Sequence, residues 1–401
     1  MKLAHRIRLV PSAEQEAYFV RACGVARFAY NWALAEWQRR YAAGEKPSET
    51  ALRKALNAIK YEQFPWMREV TKNAPQQAIK NLGRAYANFF EDVKKYRRNE
   101  LPWKRVRVPK FKKKGKTHDS FRADNGCDAQ HPDAVAVDGK RVKLPVVGWV
   151  TMREELRFAG QIISVTVSRE ADAWYASFTI DVPEEPAVHV LSNIIGVDLG
   201  VSALATRSDD TPKILAPKPL RRYLKKLTRL SRALSRKQRG SHNRAKAKTT
   251  LARLHARIRH IRQDALHKLT TDLARTAATI AIEDLNVAGM LANRHLSRAI
   301  ADLGFFEFRR QLEYKTAMAG GALIVADRWY PSSKLCSDCD AKNQTLTLSE
   351  RTWTCASCGT FHDRDMNAAR NLARYPESWA GSACGAEGAG RRHQTTVKPA
   401  A

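Results

Sequence analysis

Two Cys-x-x-Cys pairs, Cys336 with Cys339 and Cys355 with Cys358, constrain this chain more than any other feature in it. They stand fifteen residues apart. Each pair turns two thiolates onto one ion, and two pairs complete a tetrahedral sulfur site. Four cysteine ligands leave no open coordination position. The spacing therefore predicts one structural Zn²⁺ that holds a small ribbon together without a core of its own. The stretch between the pairs, TLTLSERTWTC, is expected to supply the ribbon's strands. The module covers about residues 331–361. Seven residues after Cys358 comes Asp365, on what reads as a helix, so the ribbon looks inserted into a larger domain. The other cysteines, Cys23, Cys127 and Cys384, are scattered. In a reducing compartment that usage favours metal over disulfides.

The second constraint is charge. A net +30 on 401 residues exceeds what solubility requires and predicts a polyanionic partner. A membrane surface is the competing partner. No apolar run approaches the ~20 residues needed to span a bilayer. The opening MKLAHRIRLVPSAEQ lacks the apolar stretch of a secretory signal, so a cytoplasmic location is expected.

KLAHRIRLV reads as a strand. Ser12 then opens a helix, with Gln15 completing a capping box. Tyr18, Phe19, Ala22, Val25, Phe28, Ala29 and Trp32 recur at helical spacing. Further helices are expected over 49–59 and 75–96, which makes residues 11–104 a helical block. From Leu101 the character changes: Pro102, Pro109 and Gly115 punctuate a basic run containing Lys112, Lys113 and Lys114. AVAV, RVKLPVVGWV, IISVTVSRE and WYASFTIDV then read as short strands of a small barrel. If the first strand joins them, residues 1–10 and 105–190 form one β domain interrupted by the helices. PEEPAVHVLSN reads as a linker. Tyr30, Trp32, Trp66, Phe89, Phe90, Trp103 and Phe121 lie among basic residues, and most read as core aromatics rather than stacking platforms.

IIGVDLGVSALATRSDD opens the next domain as two strands around a glycine turn. Between Asp210 and Asp264 there is no acidic residue and there are eighteen Lys and Arg. Leu220, Leu224, Leu227 and Leu234 form one apolar seam; Leu251, Leu254, Ile258 and Ile261 form another, with Gly240 between. This predicts an antiparallel hairpin over 215–275 whose outer face suits a phosphate backbone. Arg221, Arg222, Lys225, Lys226 and Arg229 are its candidate contacts. TIAIEDLNV and ALIVADRWY read as strands, and FFEFRRQLEYKTAMAGG as a helix. Beyond residue 376 the composition predicts a disordered tail, 377–401.

Asp198 sits in an apolar strand, and so does Glu283. A carboxylate in such a strand is costly to bury unpaired. One could be a hydrogen-bonded core acid. Two, with a third on the helix of HDRDMNAARN, fit converging ligands for a hard cation such as Mg²⁺. Two such ions ~3.5–4 Å apart can activate water and steady the leaving oxygen in phosphodiester hydrolysis. The layout is RNase H-like. Residues two apart on a helix do not share a face, so Asp363 and Asp365 cannot both point at the metals, and Asp363 suits the helix start.

These residues resemble the TnpB family, transposon-encoded RNA-guided DNA endonucleases related to the type V CRISPR effectors. The motifs are GVDLG, IEDLNV, YPSSKLCSDC, WTCASCG and HDRDMNAARN, with RFAYNWAL, NAPQQAIKNLGRAYANFF and PKFKKKGKTHDSFR upstream; they span residues 1 to about 375. The resemblance implies a multidomain α+β chain. Its RuvC nuclease domain would be 191–330 with 362–376, catalysing with Asp198, Glu283 and Asp365 around two Mg²⁺ ions. A zinc ribbon is inserted in it, and a wedge β-barrel interrupted by a helical recognition block precedes it. Ser332, Ser333 and Lys334 become further nucleic-acid candidates. Asp340 stands where the family often has glycine, which bears on the knuckle turn.

The family's partners are a guide RNA from the transposon end and double-stranded target DNA beside a short motif, with one protein per RNA and association with the nucleoid when on DNA. Two other readings stay open: an RNA-guided DNA-binding regulator that does not cut, and a DNA-binding accessory of transposition. The first should have lost an acid, and all three stand. The second would bind DNA without RNA.

Overall fold

The computed structural model describes residues 1–125, 134–183, 192–347 and 349–382. Cys127, Cys384 and most of the expected linker lie outside them, as do residues 383–401 of the expected tail. The chain divides into two compact units at residues 185 and 186.

The first unit opens with β1 (Lys2–Val10), followed by α1 (Ala13–Ala42), α2 (Glu49–Gln63) and α3 (Asn73–Arg97). Ser12 and Gln15 form the capping box reciprocally. Six strands follow: β2 (Ser120–Asp124), β3 (Ala136–Asp138), β4 (Arg141–Leu144), β5 (Gly148–Met152), β6 (Gln161–Glu170) and β7 (Ala173–Asp181). The sheet order is β2-β6-β7-β1-β5-β4-β3. The first strand of the chain is therefore central, paired antiparallel to β7 from Lys2↔Asp181 to Leu9↔Trp174 and to β5 at Leu9 and Val10. The helices interrupt one sheet, as the sequence implied. Period-two alternation buries Ile7 and Leu9 of β1 with Trp174, Ala176, Phe178 and Ile180 of β7. These share a single core with Phe19, Ala22 and Ala29 of α1.

The expected barrel is not closed. Among the described residues β2 and β3 are free edges, and the pairing is that of an open seven-stranded sheet. The physical reason is that helix, not sheet, covers the apolar face: Phe19 lies 5.1 Å from Trp174 and 5.8 Å from Phe121, centroid to centroid. The strand β2 had gone unread.

The second unit begins with β8 (Ile194–Asp198) and β9 (Thr206–Arg207). The cationic hairpin is α4 (Pro219–Ser235) and α5 (His242–Thr276). Then come β10 (Thr279–Glu283), the short α6 (Val287–Ala292) and α7 (Ser297–Leu303), α8 (Phe305–Met318) and β11 (Ala322–Ala326). The order is β11-β10-β8-β9; the first three are parallel and β9 is antiparallel. The cysteine module follows, with β12 (Thr352–Thr354) and β13 (Phe361–Asp363), and α9 (Arg364–Ser382) ends the unit. That helix runs six residues into the expected tail.

Alternation divides the central strands between two layers. Ile195, Val197, Ile280 and Ile282 pack with Leu266, Leu269 and Leu273 of α5 and Phe305, Phe308 and Leu312 of α8. Gly196 and Ala281, cross-strand partners, face the other way. They are small, so α9 can lie almost on the strand. A methyl added at Gly196 would come within 2.0 Å of Ala369 O and 2.4 Å of Ala373 N. Both are backbone atoms, so the helix itself would have to move. Gly196→Ala is expected to destabilise the second unit by about 1–3 kcal/mol, measured by thermal unfolding. An unchanged melting temperature would mean that α9 does not rest on this glycine.

Candidate active site

Asp198 is two residues beyond Gly196 and Glu283 two beyond Ala281, so both acids project to the α9 side of the sheet. They stand at the C-terminal ends of adjacent parallel strands, one step past the Ile282↔Val197 pair. On α9, Asp365 is one turn before Ala369, which rests on the sheet. Strand alternation and helical period thus carry Asp198, Glu283 and Asp365 to one place. Burial pushes the Asp198 carboxyl well above the usual carboxylate range, and the charges of Glu283 and Asp365 push it further; Arg364 and Lys213 oppose this. Among the described residues nothing donates a hydrogen bond to Asp198.

The other two carboxylates are engaged. Ser332 Oγ donates to Glu283 Oε1 at 2.5 Å. Lys213 Nζ donates to Asp365 Oδ2 at 2.9 Å and to both oxygens of Asp363 at 2.8 and 3.0 Å. Asp363 is also the N-cap of α9, accepting from the amides of Asp365 and Met366. The neighbouring Asp284 faces away and pairs with Arg309 and Arg328.

Among the described residues, one set of three or more metal-type side chains has all its ligand atoms within 4.8 Å of one another: Cys336, Cys339, Cys355 and Cys358. Sγ–Sγ distances of 3.6 Å, between Cys336 and Cys358 and between Cys339 and Cys355, are far beyond a disulfide. They are close to the ~3.8 Å edge of a thiolate tetrahedron with ~2.3 Å metal–sulfur bonds. The residues fit a closed four-sulfur site. Residues Asp340 and Gly359, each after the second cysteine of a knuckle, have φ of 60° and 76°. Their amides donate to the carbonyls of Cys336 and Cys355, so the two knuckles are alike. Asp340 makes the left-handed turn that glycine makes more easily, and its carboxylate pairs with Arg374. The buried His362 places Nε2 3.0 Å from Cys336 Sγ. The hydroxyl of Thr360 brings the Cys358 thiol down to about 6, whereas burial pushes Cys336 up to about 12.

The ribbon's strands differ from expectation. Among the described residues of TLTLSERTWTC, Thr352–Thr354 alone is a strand, and it pairs with β13, downstream of the second knuckle.

Three residues that the sequence reading missed fasten the first knuckle to α9. The Asn367 amide donates to Leu335 O and accepts from Ser337 N. Asn371 donates to Ser332 O and Leu335 O. Arg374 donates to Ser337 O. Their i, i+4, i+7 spacing in MNAARNLAR was the available signal.

The nucleic-acid candidates separate. Lys113, Lys114, Arg221, Arg222, Lys225, Lys226 and Arg229 are exposed, and Ser333 and Lys334 are half-buried. Ser332 is 2 % exposed, and its hydroxyl is engaged by Glu283. Lys112 is half-buried: its backbone bonds to the Asn31 side chain and its ammonium sits 4.1 Å over the Tyr30 ring. The α4 seam leucines are only half-buried.

Comparison with known proteins bears on these groups. A family described as "Probable transposase" matches residues 177–294, which hold Asp198 and Glu283. A "Cas12f1-like, TNB domain" matches 305–372, which hold the four cysteines and Asp365. A "Helix-turn-helix domain" matches 1–46, where this chain has one strand and one long helix. A "Putative RNA-guided DNA endonuclease" of Streptomyces pristinaespiralis is 37% identical over 389 residues, 96% of this chain and 91% of that protein. The "Putative RNA-guided DNA endonuclease InsQ" of Escherichia coli is 34% identical over 389 residues, covering 92% and 91%. In fold, the chain is similar to the protein in the "Cryo-EM structure of the Cas12f1-sgRNA-target DNA complex", with TM-score 0.56 at 14% identity, covering 93% of this chain and 98% of that one. With more than a third of its residues shared along nearly the full length of a relative, the chain belongs to the TnpB (OrfB, IS605-type) family.

Proposed function

We propose that this chain is an RNA-guided, Mg²⁺-dependent DNA endonuclease that hydrolyses target phosphodiesters at Asp198, Glu283 and Asp365. The observation that carries the reading is the delivery of these three carboxylates to one end of the sheet by two adjacent strands and the helix that crosses them. Hard oxygen donors of this kind suit Mg²⁺, and the unpartnered Asp198 gives a strong anionic ligand once ionised. Two such ions, when bound, would supply an activated water and charge neutralisation at the leaving oxygen. The chain's own part is positional. Ser332 orients Glu283, Asp363 caps α9 and fixes its first turn, and Gly196 lets Asp365 approach the strand. We read the sheet and its helices as a RuvC domain over 191–330 and 362–376. Residues 331–361 are a ribbon closed by one structural Zn²⁺. Residues 11–104 are a recognition block set into the N-terminal β domain.

The partners are a guide RNA from the transposon end, one protein per RNA, and double-stranded DNA. Cations on α4 and α5 suit the phosphate backbones of both, while base pairing reads the sequence. No helix among the described residues is long and apolar enough to cross a membrane; action at the nucleoid in the cytoplasm agrees with the charge of +30.

The test is to express the chain beside its native flanking DNA and sequence the RNA that co-purifies. A dominant protected species with a fixed scaffold and a variable 3′ end is expected, and that RNA should direct cutting of a matching plasmid. Random cellular RNA, removed by modest salt, would overturn the RNA-guided reading.

A further inference from the structure

The carboxylate cluster already contains a cation of its own. Lys213 Nζ has three N–H donors and three carboxylate oxygens within 3.0 Å, two from Asp363 and one from Asp365. All its donors are spent on the helix start that carries the third acid. Nothing in the strand or helix pattern required a lysine there, since it comes from the loop between β9 and α4.

That loop is built, not slack. Ile214 N donates to Ala205 O at 2.9 Å and Leu204 N donates to Ile214 O at 2.7 Å, so the residue after Lys213 is stitched to the strand edge. Thr211 Oγ1 donates to Asp209 Oδ1, and Asp209 is held by Arg207, which also pairs with Asp272 of α5. Asp210, with φ of 58°, pairs with Arg370 of α9 at 2.9 Å. The loop is thus pinned on both sides of Lys213, and two of its residues reach α9.

The consequence for the cluster is geometric. Asp365 is turned toward Lys213 and Glu283 toward Ser332, and the three acids are not among the sets whose ligand atoms lie within 4.8 Å of one another. A Mg²⁺ needs oxygens at ~2.0–2.1 Å in near-octahedral array. Asp365 therefore has to leave the ammonium, wholly or by one oxygen, to join Asp198 and Glu283. Lysine suits such exchange: its charge is a point on a flexible stem, with no fixed fork to break.

We propose that Lys213 is a resident counter-cation of the carboxylate cluster, a positioning residue that holds Asp365 at the site and competes with the divalent cation for it. The inference rests on the proposed metal-dependent reading of the same acids. It adds a residue that sets how tightly the metal is held, and it makes metal loading an exchange of ammonium for divalent cation.

The test uses the full-length, zinc-loaded chain without nucleic acid, and Mn²⁺ as the probe, followed by electron paramagnetic resonance and by calorimetry. Lys213→Gln is expected to tighten Mn²⁺ binding about tenfold, the effect of removing one unit charge close to a divalent ion in a largely hydrated site. Lys213→Arg should bind no more tightly than the wild type, because the competing charge is restored and its fork holds the carboxylates at least as firmly. A merely structural ion pair predicts the opposite sign for Lys213→Gln: Asp365 would lose its support and Mn²⁺ would bind more weakly. Unchanged or weaker binding in that variant therefore overturns the proposal. If Lys213→Gln does not fold by circular dichroism, Lys213→Met keeps the stem without the charge and carries the same expectation. Asp365→Ala serves as the reference. If wild-type Mn²⁺ binding survives that change, the acids are not the metal site, and the functional reading fails with the inference. If Asp365→Ala abolishes binding but Lys213→Gln does not tighten it, the inference alone fails.

Discussion

Asp365→Ala is expected to abolish DNA cleavage while RNA binding stays at the wild-type level. The side chain contributes nothing to the α9–sheet core, which rests on Ala369, Leu372 and Tyr375, so the fold should survive. On the proposed reading, what disappears is one of three carboxylates that hold the divalent cations, and those cations are what activate the water and offset charge developing on the phosphate. Weakening that hold removes both contributions, so a loss of about a thousandfold or more is expected. Asp363→Ala, two residues earlier, makes the comparison sharp. Its carboxylate caps α9, and losing a cap costs about 1 kcal/mol of stability with a far smaller loss of cutting. Guide-directed plasmid cleavage and an RNA mobility shift, run on both variants, measure this. Cleavage surviving Asp365→Ala, or equal losses in the two variants, would refute the assignment of Asp365.

If the four cysteines hold the proposed zinc, Cys355→Ser should abolish zinc binding and unfold the ribbon. A structural zinc contributes folding free energy outright, on the order of 10–16 kcal/mol apparent in isolated fingers. The ribbon has little else: its core is Leu346, Trp353 and two of the cysteines themselves. Metal content by mass spectrometry should fall from one zinc per chain to nearly none, with protease cuts appearing between residues 331 and 361. Cys23→Ser is the control. Cys23 is buried in α1, where burial, then the charge of Asp119, pushes its thiol up to about 12, and its loss should leave the zinc in place. Cleavage should fall in Cys355→Ser too. Asn367 and Asn371 tie the first knuckle to α9, and the same helix carries Asp365. A variant that keeps its zinc and its melting temperature would refute the four-cysteine site.

Much of this was legible in the chain because it is local. The Ser12–Gln15 capping box, the cysteine spacing and the period of α1 each lie within a few residues. The acids were legible for a related reason: an acid in the apolar run IIGVD or TIAIE has few explanations. The unread parts depend on neighbours distant in sequence. SFRAD is a strand because β6 lies beside it, pairing Phe121 with Val167. Ser332 looked like a surface residue until it was found buried against Glu283, forty-nine positions away. Lys213 is one of eighteen cations in its stretch, and only the fold separates it from the rest. A barrel was expected where, among the described residues, the sheet is open, because alternation predicts a covered face but not what covers it.

The order of the acids along the chain has a bearing on synthesis. Asp198 and Asp365 are 167 positions apart (365 − 198), and at roughly 5–20 residues per second on the ribosome the second emerges some ten to thirty seconds after the first. By the later part of that interval β8, the whole cationic hairpin and β10 have been made, while Asp365 has not. On the proposed reading, a chain that ends between β10 and α9 would carry the cations that suit polyanions but lack Asp365, and so would bind without cutting.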